Sequence, residues 1–210
     1  MSNPKETASA KQPGLSIDPK YILRITGVLL VICLITALLL GIVNAVTKPR
    51  IDAMQAEKIR AAMSQVLEAD EYVPIDLAGT LSEIPKGVQS ISRAGANGGI
   101  LGYVVQVKAN GSQGEIQMMV GIDLEGRVTG VSVIKQSETP NIGTKVVADQ
   151  SVLDRFVGMS GEITVNSGTN RFDGVSGATV SSKGVAAGVN AAMEAAAWLV
   201  STDNFIPEAG

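Results

Sequence analysis

The sequence predicts an α+β protein in which one N-terminal transmembrane helix tethers an antiparallel sheet packed against a C-terminal helix. Three observations carry this. The 23 residues from Ile25 to Thr47 hold no charge, and as a helix they would extend about 34 Å against roughly 30 Å of bilayer hydrocarbon. Three β-rich segments, "GYVVQVKA", "EIQMMVGI" and "RVTGVSVIK", are separated by the turn-formers "NGSQG" and "DLEG". The last long segment, "KGVAAGVNAAMEAAAWLV", repeats apolar residues at helical spacing.

In chain order, residues 1–20 are polar and rich in Pro, Ser and Lys, and read as a disordered tail. Residues 21–47 read as a signal anchor. Their apolar run exceeds the 7 to 15 residues of a cleaved signal core and ends in no small-x-small site. Lys5, Lys11, Lys20 and Arg24 precede the span and Lys48, Arg50, Lys58 and Arg60 follow it, so the positive-inside count gives no orientation. Residues 48–71 read as a connecting helix with Pro49 near its start and Ile51, Met54, Ile59, Met63, Val66 and Leu67 on one face. Residues 72–205 form one α+β domain, long enough for a core of its own, and 206–210 a tail. Within the domain, "GVQSISRA" is expected as an edge strand, the three β-rich segments as a meander and "EITV" as a short extra strand. The final helix is expected to be capped by Ser181 or Ser182 and to bury Val185, Val189, Ala192, Met193, Ala196 and Val200.

Composition then excludes whole classes of chemistry. The 210 residues contain no histidine and one cysteine, Cys33, inside the apolar run. Cys/His metal sites, imidazole-based triads and internal disulfides are therefore excluded, and no metal site is expected. Redox work would need an organic cofactor. The net charge of −3, with scattered Lys and Arg, argues against nucleic acid as a partner. No G-x-G-x-x-G joins a strand to a helix, so NAD is not expected on this chain. A single uncharged span offers no ion path.

The stretch that invites chemistry is "DGVSGATVSSKGV", Asp173 to Val185. It runs glycines and hydroxyls into the start of the last helix, where unpaired amides and the positive dipole end favour a phosphate. Ser176, Thr179, Ser181 and Ser182 offer hydroxyls, Asp173 could orient one of them, and Gly174 and Gly177 allow close backbone approach. Neither G-x-S-x-G nor S-x-x-K nor a P-loop occurs here. On these residues alone the loop is either a plain turn with a helix cap or a phosphate-holding loop.

"DGVSGAT" resembles the flavinylation motif Asp-x-x-Ser/Thr-Gly-Ala-Thr, matching at Asp173, Ser176, Gly177, Ala178 and Thr179. With "GYVVQV" and "VGIDLEGRVTGVSVIKQSETPNIGTKV", the chain resembles the G subunit of Rnf, the membrane complex that couples electron transfer between ferredoxin and NAD to ion pumping. The sister family is the C subunit of the sodium-translocating NADH:quinone reductase. The resemblance implies an antiparallel-sheet FMN-binding domain whose FMN is joined to Thr179 by a phosphoester, through a separate flavin transferase. It implies cofactor-binding roles for Asp173, Ser176, Gly177, Ala178, Ser181, Glu138 and Thr139 and no catalytic residue in this chain. It also implies other subunits of a membrane redox complex and membrane lipid as partners, and an FMN domain on the outer face of the cytoplasmic membrane. Where the family usually reads Glu-Thr-Pro-Gly-Leu-Gly, this chain has Glu138, Thr139, Pro140, Asn141, Ile142 and Gly143. Asn tolerates positive φ, so the turn is expected to survive. The competing reading is a membrane-anchored module that holds a phosphorylated ligand noncovalently at the same loop, without a redox role.

Overall fold

The computed structural model describes residues 19–77 and 84–201. The tails expected at 1–20 and 206–210 lie outside the described residues, apart from Pro19 and Lys20, which are helical. The chain divides into two compact units, Met1–Ala53 and Met54–Gly210.

Helix α1 runs unbroken from Pro19 to Val66 and contains Pro49 in its interior. Proline removes one i to i−4 hydrogen bond but does not end this helix. It is the one helix among the described residues long and apolar enough to cross a membrane.

The second unit is built on a five-stranded antiparallel sheet in the order β1-β2-β3-β4-β5. The strands are β1 (Glu71–Pro74), β2 (Val88–Ala96), β3 (Gly99–Asn110), β4 (Glu115–Asp123) and β5 (Val128–Lys135). β3, β4 and β5 are the expected meander. The "GVQSISRA" segment is not at the edge: β1, which the sequence pattern did not reveal, pairs along β2 and takes that place. Four residues ending in proline give too short an alternation to stand out, and Pro is at home on an edge strand. The β2–β3 hairpin turns on Asn97 and Gly98, both at positive φ (53° and 77°), the conformation a two-residue type I′ turn demands.

Strand alternation sends apolar side chains to both faces. On one face Tyr103, Val105 and Val107 of β3 join Met118, Val120 and Ile122 of β4 in the main core. Helix α4 (Thr179–Ser201) covers this face with Val185, Val189, Ala192, Ala196 and Leu199. Fully burying each large aliphatic side chain contributes about 1.5–3 kcal/mol. Val200 was expected in the core and is 59% exposed; Leu199 takes its role. Steps of 4, 3, 4 and 3 residues keep one face toward the sheet, and the next position along is rotated about 100° away from it.

The other face buries Ala94, Val104 and Met119 against Ala62 and Val66, from the last turns of α1. A Cβ on Gly121 or Gly130 would collide with the Val66 backbone, so these two glycines let the helix end lie directly on the sheet. The Thr129 hydroxyl donates to the Val66 carbonyl at 2.6 Å, and Tyr72 Oη donates to the Leu67 carbonyl at 2.7 Å. Both satisfy carbonyls that a helix terminus leaves without partners.

Between β5 and α4 the chain forms two short helices, α2 (Thr144–Val147) and α3 (Gln150–Leu153), and a 3-10 turn, Asp154–Phe156. A small parallel pair follows, β6 (Thr164–Val165) with β7 (Arg171–Phe172). "EITV" thus supplies a strand of two residues that lies outside the main sheet.

Candidate functional site

The Asp173–Ala178 loop is pinned at both ends by the core. Phe172, just before it, is 1% exposed and stacks on Phe156 with ring centroids 4.1 Å apart. Ala178, at its far end, is also buried. Between these anchors Asn166 Oδ1 accepts from the Gly174 amide at 2.9 Å, and Ser182 Oγ accepts from the Val175 amide at 3.1 Å. The Ala178 amide donates to the Val175 carbonyl at 3.0 Å, and Gly177 has φ of 80°. That combination is a type II turn with glycine at its third position.

The two loop glycines differ in use. A Cβ on Gly174 would press on Val165 and Ser182, so this glycine serves internal packing. Gly177 has open space around it and is required for its backbone angle.

Helix α4 starts at Thr179, three to four residues earlier than a Ser181 or Ser182 cap would place it. The Ala178 carbonyl accepts from the Ser182 amide at 2.9 Å and opens the helix. Neither serine caps: both are fully buried, Ser182 bonding back to the loop and Ser181 donating to Glu138 Oε2 at 2.5 Å. Small hydroxyls in the first turn favour caps only when no tertiary acceptor or donor competes for them. Thr179 itself is exposed.

Asp173 is exposed. Its carboxylate pairs with Arg171 Nε at 2.8 Å, and its carbonyl accepts from Arg155 Nη1 at 3.1 Å. Ser176 is exposed as well.

The Glu138–Gly143 segment meets the start of α4 through the Glu138–Ser181 bond. Glu138 is 5% exposed, and its Oε1 accepts from the Gln113 amide at 3.2 Å. The Ile142 amide donates to the Thr139 carbonyl at 3.2 Å, and Asn141 has φ of 62°. With Pro140 second and Asn141 third, this too is a type II turn. Asparagine holds the left-handed position that the family pattern gives to glycine, as expected. The structure therefore brings Glu138, Ser181 and the Thr179 end of α4 together, with Thr139 half-buried on the adjoining turn, and leaves the Asp173 and Ser176 side chains at the surface.

Sequence reasoning missed Gly111 and Gln113. Both lie in "NGSQG", whose turn signal was legible, but not its second use as a wall against Glu138. A groove of about 680 Å³ also opens beside the first turns of α4, lined by Val180, Lys183, Gly184, by Lys108 of β3 and by Lys86, just ahead of β2. Lys183 lies one turn beyond Thr179.

An exposed hydroxyl on the first residue of a helix, preceded by Gly177 and Ala178 and followed one turn on by a lysine, suits a phosphate group. Fold and site define a membrane-anchored domain of the FMN-binding class, and residues 111–194 match the FMN-binding domain family. Residues 16–66 match the RnfG N-terminal region. The chain is 32% identical over 196 residues to the G subunit of the Na(+)-translocating ferredoxin:NAD(+) oxidoreductase complex of Acetobacterium woodii, covering 86% of this chain and 94% of that one. It is 31% identical over 192 residues to the G subunit of an ion-translocating oxidoreductase complex of Methanosarcina acetivorans, covering 84% and 95%. It belongs to the family of Rnf complex G subunits. Among solved structures, the C subunit of the Na(+)-translocating NADH-quinone reductase of Parabacteroides distasonis shares the fold, with a TM-score of 0.51 and 18% identity over 69% of this chain and 94% of that one.

Proposed function

We propose that this chain is the electron-carrying flavoprotein subunit of a membrane complex that transfers electrons between ferredoxin and NAD, with its FMN esterified to Thr179. The observation that carries the reading is the placement of Thr179: an exposed hydroxyl on the first residue of α4, at the end of a loop anchored on either side by the buried Phe172 and Ala178. FMN supplies the one- and two-electron chemistry that a chain with no histidine and a single cysteine lacks.

The protein's residues hold and orient. In the reaction that a separate flavin transferase would carry out, the Thr179 Oγ1–H bond would break and an Oγ1–P bond would form as the P–O bond to the flavin donor's leaving group breaks, that leaving group departing with the proton. The α4 dipole and Lys183 offset the remaining negative charge. Gly177 and Ala178 keep the approach to the hydroxyl open. Thr139, on the adjoining turn, and Ser176 are the remaining side chains placed to touch the cofactor. The domain lies on the outer face of the cytoplasmic membrane, anchored by α1, and the ion path belongs to the other subunits.

Intact-mass spectrometry on the native protein tests the reading. The expected increment over the bare chain equals FMN less one water, and Thr179→Ala removes it while leaving the thermal midpoint near that of wild type. A bare chain mass from the native membrane, with phosphorylated ligand released on denaturation, would instead establish the noncovalent binding module.

A further inference from the structure

Glu138 sits in a cradle shaped for its carboxyl group. A Cβ on Gly111 would strike Glu138 Oε1, and one on Gly143 would strike Oε2, so a side chain at either position would push the carboxyl group out of its place. Each oxygen already has a partner inside the chain: the Gln113 amide donates to Oε1 at 3.2 Å and the Ser181 hydroxyl donates to Oε2 at 2.5 Å. Glu138 is 5% exposed and Ser181 is fully buried, so this link is shielded from competition by water. Three separate segments of the chain converge on one carboxyl group.

The link fixes the rotation of the first turn of α4. Ser181 is the third residue of that helix, and its bond holds position 181 inward. Position 179, two residues earlier, is rotated about 200° from it and therefore points outward. We propose that Glu138 and Ser181 act as a positioning pair: they set the presentation of the Thr179 hydroxyl to the flavin transferase and do not themselves contact the flavin. The proposal rests on the reading of Thr179 as the attachment point.

The test uses the full chain produced in membranes together with a flavin transferase, following the flavinylated fraction by intact mass over time, with circular dichroism as the check on folding. Ser181→Ala and Glu138→Ala are expected to slow attachment by about ten-fold or more, since small displacements of a reacting group carry penalties of that size. The double variant is expected to be no slower than the slower single one, because both substitutions remove the same bond. Glu138→Gln is expected to restore attachment to within about three-fold of wild type: its amide oxygen still accepts from Gln113, and its NH₂ group can donate to Ser181 Oγ. A general packing defect would produce neither the rescue nor the non-additivity. If Glu138→Ala does not fold, Ser181→Ala and Glu138→Gln decide. Attachment at the wild-type rate in folded Ser181→Ala, additive slowing in the double variant, or slow attachment in Glu138→Gln would overturn the positioning role. Covalent flavin retained in Thr179→Ala would overturn the attachment reading itself, and is scored separately in the same experiment.

Discussion

Asn141 shows what a single residue can and cannot carry. Its φ of 62° lies in the left-handed region, where a side chain normally costs about 1–2 kcal/mol and Asn is among the few residues that enter routinely. The consequence of replacing glycine there was legible from residue type alone. The fate of Ser181 was not, because a hydroxyl in the first turn of a helix reads as a cap until the fold delivers Glu138, 43 positions away in sequence, to claim it. Asp173 presents the converse case. Its side chain is 64% exposed and its main partner is the surface cation of Arg171, a kind of pair that contributes about 0–1 kcal/mol. Asp173→Ala should therefore leave the thermal midpoint essentially unchanged. If the transferase reads the acid as part of its target, the same variant loses most of its covalent flavin in the intact-mass assay. Normal incorporation would reduce Asp173 to a turn residue.

Among the elements, those with a long unbroken period were legible: the apolar span, the three meander strands and the last helix. Of the short ones, the strand expected at "EITV" is present as β6, but β1 and β7 were not legible, because two to four residues carry no period to read. The helix end at Val66 is a similar case. Its apolar face was visible, but the surface that receives it depends on Gly121 and Gly130, which in a strand pattern look only like weak points. Gly130→Ala tests that docking, since a Cβ there would stand 2.8 Å from Val66 Cα, a backbone atom that cannot swing aside. Overpacking of this kind costs about 1–3 kcal/mol, which lowers the thermal midpoint by roughly 3–10 °C in a protein of this size. Attachment at Thr179 should be preserved, because α4 and its loop belong to the core on the other face of the sheet. A joint loss of stability and attachment would show instead that the two faces act as one unit.

At the scale of the whole molecule, the residues do not specify the side of the membrane, because four basic residues precede the span and four follow it closely. Long domains translocate largely regardless of flanking charge, so the outward placement proposed for the FMN domain must be tested by chemistry. Cys33 is the sole cysteine and lies inside the apolar span, where the bilayer shields it from a membrane-impermeant thiol reagent. That leaves a clean background for engineered cysteines. Ser112, exposed on the turn between β3 and β4, is one position to use, and Ser9, ahead of the span, is the other. Ser112→Cys should label in intact cells, whereas Ser9→Cys should label only after lysis. The two positions lie on either side of α1 in the chain, so a single span requires opposite behaviour from them. The reverse pattern would put the FMN domain on the cytoplasmic side and overturn the outward placement proposed for it.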